Sequence, residues 1–319
     1  MKEAIKVQGL NYTYPDGTRA LKNVNMEVFP GEKVGVVGPN GAGKTTLFLH
    51  LNGTIKNPDG NISIFGKDIS SLQTGERIHN VGVVFQDPDD QLFMPTIFDD
   101  VAFGPINMGL QEDEVRQRVK TALALVGLEG FEDRVPHNLS YGQKKRAAIA
   151  AVLSMEPRII ILDEPTANLD PKSRAELIRL LKRLNRDGIT TIIATHDVNS
   201  LPELADRIYI INQEIVAEGP PRDIFSDWEL LKENDLEAPD VFKLFKVLTC
   251  FGYDCEELPL SLDEAVAELT KTISDAEGHV HLHIHEHTHS QVQKYLHNYN
   301  HHQTSDEDPN ETASNYNKL

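Results

Sequence analysis

The sequence predicts an α/β fold: a mainly parallel core sheet wrapped by helices, with an antiparallel β layer beside it and a helical subdomain. Three observations lead there. Short apolar runs at 33–37, 159–162, 190–194 and 207–211 alternate with helical patterns, as the strands of a parallel sheet covered on both faces do. The first of these runs leads straight into a glycine-rich loop and then a helical stretch. Ahead of it, apolar and β-branched runs at 5–10 and 24–29 are separated by Pro15-Asp16-Gly17, a turn-forming tripeptide that marks the antiparallel layer.

The remaining elements follow in chain order. The glycine loop runs through Gly38-Pro39-Asn40-Gly41-Ala42-Gly43-Lys44-Thr45-Thr46, and its helix extends to about Asn52. Between 112 and 127, Val115, Val119, Ala122, Leu123 and Val126 recur at intervals of three and four, the stripe of an amphipathic helix in the helical subdomain, placed at about 87–156. Ser140 followed by Gln143 forms a capping-box pattern that starts an alanine-rich helix ending near Ser154. Asp170-Pro171 reads as an N-cap and first helical residue, Leu177, Leu180, Leu181 and Leu184 as the buried stripe, and Gly188 as the stop.

Composition then divides the chain. Residues 1–225 form the main domain, 226–277 a small regulatory or dimerising unit, and 278–319 a histidine-rich, polar tail with too little apolar surface to fold. With 319 residues, 39% of them hydrophobic, the chain suffices for one large core plus that smaller unit. Its formal net charge of −18 disfavours nucleic-acid binding through a basic surface. No run approaches the roughly 18 to 20 apolar residues of a spanning helix. Two cysteines, Cys250 and Cys255, with no leader segment, point to a reducing cytosol, and a structural zinc site would need two more ligands.

The chemistry sits at strand ends. The loop from Gly38 to Thr45 matches G-x-x-x-x-G-K-[ST], in which glycines let main-chain N–H groups approach phosphate without a Cβ in the way. Lys44 is placed to reach the β- and γ-phosphates of a nucleotide as a charge, and Thr45 to offer its hydroxyl to Mg²⁺. Asp163-Glu164, closing the apolar run at 159–162, puts two carboxylates at the rim of the same site. Asp163 then serves the metal's shell and Glu164 the attacking water.

Leu139-Ser140-Tyr141-Gly142-Gln143, lying just before Asp163-Glu164, resembles the signature motif of ATP-binding-cassette (ABC) proteins. The resemblance covers about residues 4–225 and extends to Gln86 of a Q-loop, Asn168-Leu169-Asp170 of a D-loop and His196 of a switch region. It implies a P-loop NTPase of the ABC cassette type, with ATP and Mg²⁺ as cofactors and hydrolysis in a head-to-tail dimer. ATP on Gly38, Pro39, Asn40, Gly41, Ala42, Gly43, Lys44, Thr45 and Thr46 of one copy is then sealed by Ser140, Gly142 and Gln143 of the other, with Asp170 at the seam. Glu164, His196 and Gln86 become the catalytic group, and Thr45, Gln86 and Asp163 the Mg²⁺ shell. Tyr14 is the candidate to stack on adenine, with Tyr12 as rival. Tyr141 departs from the family, where glycine is commoner at that position.

Residues 12–17 (YTYPDG) and 84–93 (VFQDPDDQLF) resemble the ATPases of energy-coupling-factor importers, which serve vitamins, cobalt and nickel, the cobalt member being called CbiO. The resemblance implies integral-membrane partner subunits, attachment at the cytoplasmic face of the membrane, and a dimer of two copies or of a copy with a paralogue. Cobalt or nickel is favoured by the alternating His279, His281, His283, His285, His287 and His289, since dense neutral imidazoles bind Ni²⁺, Co²⁺ or Zn²⁺. A metal buffer and an incidental affinity are equally compatible with that tract. The other readings are a vitamin importer and an ABC ATPase without a transport role.

Overall fold

The structure is a computed structural model that describes residues 2–56, 59–253 and 255–275. It divides into two compact units, Met1–Ala238 and the segment from Pro239 onward.

The first unit opens with strands β1 (Ile5–Thr13) and β2 (Arg19–Val28), paired antiparallel, and the turn at Pro15-Asp16-Gly17 between them is closed by a Gly17 N–H donating to the Tyr14 carbonyl at 2.9 Å. Strands β4 (Asp59–Ile64) and β5 (Lys67–Asp68) complete this sheet in the order β2-β1-β4-β5. The second sheet holds β3 (Lys33–Val37), β6 (Val81–Val84), β7 (Ile159–Asp163), β8 (Thr190–Ala194), β9 (Arg207–Asn212) and β10 (Glu214–Gly219). Its order is β10-β9-β3-β8-β7-β6, parallel throughout except for β10. Helices α1 (Lys44–Leu51), α2 (Thr74–Asn80), α3 (Ile97–Asn107), α4 (Glu112–Leu125), α5 (Tyr141–Leu153), α6 (Pro171–Arg186) and α7 (Leu201–Leu204) connect these strands.

Strand alternation explains the two layers of core. On β7, Ile159 and Ile161 face one side, where they pack with α1 residues Leu47 and Phe48 and with Ile5, Leu10 and Met26 of the antiparallel sheet. Ile160 and Leu162 face the other side, against Val101 of α3, Leu123 of α4, Ile149 of α5 and Leu181 of α6. All of these side chains are buried, so β7 is apolar on both faces.

After β10, helices α8 (Pro221–Ser226) and α9 (Trp228–Glu233) bury Ile224, Phe225 and Leu231. The first unit therefore continues to Ala238, past the composition change near Ile224. The second unit contains α10 (Asp240–Cys250) and α11 (Leu262–Asp275) around a small cluster of Phe245, Tyr253 and Ala265. Among the described residues no helix is long and apolar enough to cross a membrane.

Candidate active site

The carboxyl ends of β3, β8 and β7 lie side by side because these strands are neighbours in a parallel sheet. Three segments distant in sequence, 38–46, 163–164 and 195–197, are thereby gathered at one edge.

The glycine loop is held too tightly for side chains. A Cβ on Gly38 would lie 2.0 Å from the Ile211 carbonyl oxygen, and one on Gly43, whose φ is +96°, would lie 2.4 Å from that of Ala20. Gln213, at the β9–β10 turn, stitches the loop to its surroundings: its N–H donates to the Ala42 carbonyl at 2.9 Å and its own carbonyl accepts from Lys22 N at 2.7 Å. Lys44 Nζ donates to the Gly38 and Pro39 carbonyls at 2.7 and 3.0 Å, so the ammonium rests inside the loop. Burial draws its pKa below the ordinary lysine value, an effect opposed by the charges of Glu164 and Asp163.

Thr45 and Thr46 begin α1 and engage different partners. Thr45 Oγ1 donates to Asp163 Oδ2 at 2.6 Å, which brings two hard oxygens of the kind Mg²⁺ prefers next to each other. Thr46 Oγ1 meets the Tyr14 hydroxyl at 2.8 Å, which seats Tyr14 beside the loop. Tyr12 stands edge-on to both Tyr14 and His50, with ring centroids 5.0 and 4.7 Å apart.

Glu164 is buried and adopts a left-handed backbone, φ +47°, a costly conformation for a residue with a side chain. Its N–H donates to the Ala194 carbonyl at 2.9 Å, continuing the β7–β8 ladder. That register sets Glu164 against the switch segment, and His196 Nδ1 lies 2.9 Å from Glu164 Oε1. The His196 side chain is 74% exposed, so its far nitrogen faces the open side of the site.

Gln86 joins this cluster through its main chain. Its carbonyl accepts from Lys145 Nζ at 2.5 Å and from the Tyr141 hydroxyl at 3.4 Å, while its side chain is exposed. Ser140 caps α5 as the capping box predicts, Oγ accepting from Gln143 N at 3.3 Å and Gln143 Oε1 accepting from Ser140 N at 3.0 Å. A Cβ on Gly142 would press to 2.9 Å on Ser173 Oγ of α6. Asp170 caps α6, accepting from Lys172 N and Ser173 N at 3.0 Å each, and Ser173 Oγ donates to its second oxygen at 2.6 Å. These hydrogen bonds hold the Asp170 carboxyl below the usual carboxylate range.

Residues 21–167 match the ABC transporter family. The chain is 48% identical, over 83% of its length and 86% of the relative's, to the energy-coupling factor transporter ATP-binding protein EcfA of Methanothermobacter thermautotrophicus. The chain belongs to the ATP-binding proteins of ABC transporters, of the energy-coupling-factor type. Among solved structures it is similar to cbiO1 of Clostridium perfringens, described as part of the ABC transporter complex cbiONQ, with 44% identity, a TM-score of 0.64, and coverage of 73% of this chain and 94% of that one. It is also similar to the cassette MJ0796, a dimer in a post-hydrolysis state bound to ADP and Pi, with 32% identity, a TM-score of 0.61, and coverage of 68% and 99%. As an ABC ATPase, the chain hydrolyses Mg-ATP to drive transport.

Two features of this ABC cassette escaped the sequence reading. Lys145 is 1% exposed, and its ammonium lies within 3.5 Å of three main-chain carbonyls, those of Phe85, Gln86 and Glu164. Burial pulls it down to about 8. A signal was present: Lys145 falls three, four and seven residues before the buried Ala148, Ile149 and Val152, inside the apolar stripe of α5. The second is His50, buried on α1 with Nδ1 donating to the Thr46 carbonyl at 2.8 Å. The histidine tract 279–289 lies outside the described residues, and among those described no group of three or more His, Cys, Asp or Glu side chains gathers as a metal site.

Proposed function

We propose that this ATPase is the motor of an energy-coupling-factor importer for cobalt or nickel, working as a dimer beneath integral-membrane subunits at the cytoplasmic face. The observation that carries the motor assignment is the meeting of Lys44, the Thr45–Asp163 pair and the Glu164–His196 pair at adjoining strand ends.

The roles follow from position. Loop amides and the amino end of α1 receive the phosphates, and Lys44, released from the Gly38 and Pro39 carbonyls, turns its charge onto the terminal ones. Thr45 and Asp163, with Gln86, would hold Mg²⁺, which when bound neutralises phosphate charge. Glu164 accepts the proton of the attacking water, and His196, anchored through Nδ1, directs its other nitrogen toward the γ-phosphate. Tyr14, seated by Thr46, stacks on the base. Ser140, Gly142 and Gln143 at the capped end of α5 close over the nucleotide of the second copy, with Asp170 beside them.

Docking of a membrane subunit is supported by an apolar patch near the Gln86 segment. Phe93 and Phe103 are exposed and stack edge-to-face at 5.3 Å, and Ile106, three residues after Phe103 on α3, is exposed too. Cobalt or nickel is supported by the likeness to cbiO1 and by the histidine tract.

The decisive experiment co-purifies the chain with its membrane subunits and measures ATP-dependent uptake of radioactive Co²⁺ and Ni²⁺ into vesicles. Uptake that requires ATP and vanishes with Glu164→Gln supports the reading. Robust ATP-driven uptake of a vitamin with no metal uptake overturns the cargo assignment alone.

A further inference from the structure

Lys145 is a buried cation with no carboxylate in hydrogen-bond contact. Its three N–H donors point at three carbonyls, with Nζ 2.5 Å from Gln86 O, 3.2 Å from Glu164 O and 3.5 Å from Phe85 O. A desolvated ammonium satisfied only by main chain is an expensive way to fill space, since an apolar side chain of similar length would pack there without losing hydration. What the ammonium does is geometric. It holds the carbonyl side of the peptide that carries the water-activating carboxylate, at 3.2 Å, while the Glu164 N–H on the other side is held by Ala194 O at 2.9 Å. Glu164 is the residue whose left-handed φ of +47° needs such restraint.

The first two turns of α5 make further ties to the Gln86 segment. Tyr141, three residues before Lys144 and four before Lys145, reaches the Gln86 carbonyl at 3.4 Å, and Lys144 reaches Asp89 at 2.7 and 3.0 Å. Gln91 closes the link from the other side, accepting from Phe85 N at 3.2 Å and donating to the α5 carbonyl of Ala148 at 3.0 Å. The Gln86 segment is thus bonded along its length to the helix that begins at Ser140. Tyr141, placed where glycine is commoner in the family, supplies a side chain to this joint.

We propose that Lys145 is a positioning residue for ATP hydrolysis, and that through it the Gln86 segment and the peptide carrying Glu164 shift together with α5. The proposal rests on the assignment of Glu164 as the base. Movement of the Gln86 segment is then transmitted to the carboxylate within one subunit, through an ammonium that never touches nucleotide.

The test compares wild type, Lys145→Met, Lys145→Arg and Glu164→Gln for steady-state hydrolysis, ATP-binding stoichiometry and dimer formation in Mg-ATP by size exclusion. Lys145→Met is expected to lower kcat by about 30-fold with KM for ATP changed by less than about threefold, as for loss of an interaction that aligns the reacting group. It is also expected to accumulate the ATP-bound dimer as Glu164→Gln does, and Lys145→Arg, which keeps charge and donors, to recover at least about a third of the rate. A Lys145→Met protein with kcat within about twofold of wild type, or one that loses ATP binding and the dimer along with turnover, overturns the proposal. If thermal melting shows Lys145→Met unfolded, Lys145→Gln, which retains amide donors, is judged by the same criteria. Hydrolysis by Glu164→Gln at the wild-type rate sinks the base assignment itself, whereas an inactive Glu164→Gln beside an active Lys145→Met sinks only the positioning role.

Discussion

Two helix amino ends in this molecule, both proposed to meet phosphate, are built in opposite ways. The first turn of α1 follows Gly43, which offers no side-chain cap, so its amides are left for an incoming anion and Lys44 waits beside them. The first turn of α5 follows Ser140, whose hydroxyl and the Gln143 side chain already satisfy one another's amides. One end has open amides, whereas the other is self-satisfied and, as the proposed lid, would have to trade its internal bonds for external ones. On the proposed roles, grip and closure have separate energetics, and the first is expected not to depend on a second subunit.

The largest effect that could break this comparison is on the grip. Lys44→Ala is expected to weaken Mg-ATP binding to the isolated subunit by at least about 100-fold, since charge-assisted bonds to phosphate are lost. Isothermal titration measures it, and wild-type affinity would refute the receptor role of α1. Next in size, Ser140→Ala is expected to leave that affinity within about twofold while lowering turnover about 10- to 100-fold through failed closure. The same variant loses a helix cap worth about 1 kcal/mol, read as a lower unfolding midpoint in urea. Equal loss of affinity in both variants would erase the distinction between the two ends.

The smallest expected effect concerns the buried face of α1. Burial depresses the pKa of His50 below the ordinary 6.5, against the smaller opposing effect of its bond to the Thr46 carbonyl. The unfolded chain therefore binds a proton that the folded one resists, so stability is complete above pH 6.5 and declines as pH falls below it. Thermal melts from pH 7.5 downward are expected to show a shallower acid loss for His50→Leu than for wild type. Parallel curves would show that His50 does not contribute to acid sensitivity.

Legibility in the sequence followed locality. The strand at Lys33–Val37, the cap at Ser140 and the Asp170-Pro171 start of α6 are each written in adjacent residues, and each folds where those residues place it. Helix α3 has no such local signature, because Gly104 and Pro105 within it are residue types that ordinarily break a helix. Pro105 cannot donate to the Val101 carbonyl four residues back, and a hydroxyl from another helix end, Ser154 Oγ at 2.8 Å, supplies the donor instead. Only tertiary structure brings that donor. Lys145 was hidden for a like reason: a lysine in an apolar stripe makes sense once the Gln86 and Glu164 carbonyls converge on it, 59 and 19 residues away. At the site, the gathering of Lys44, Asp163 and Glu164 could be read from strand-end motifs, whereas the seat of Tyr14 on Thr46 and the anchoring of His196 by Glu164 required the register of the sheets.

The stitch at Gln213 limits how far the molecule can be trimmed. A fragment ending at residue 200 would keep every motif proposed to meet the nucleotide, yet the Ala42 oxygen and the Lys22 amide would lose their mates and Gly38 its wall at Ile211. Any minimal version must therefore retain the hairpin at 207–219, a segment without a single motif of its own, as the buttress that keeps the cradle from sagging.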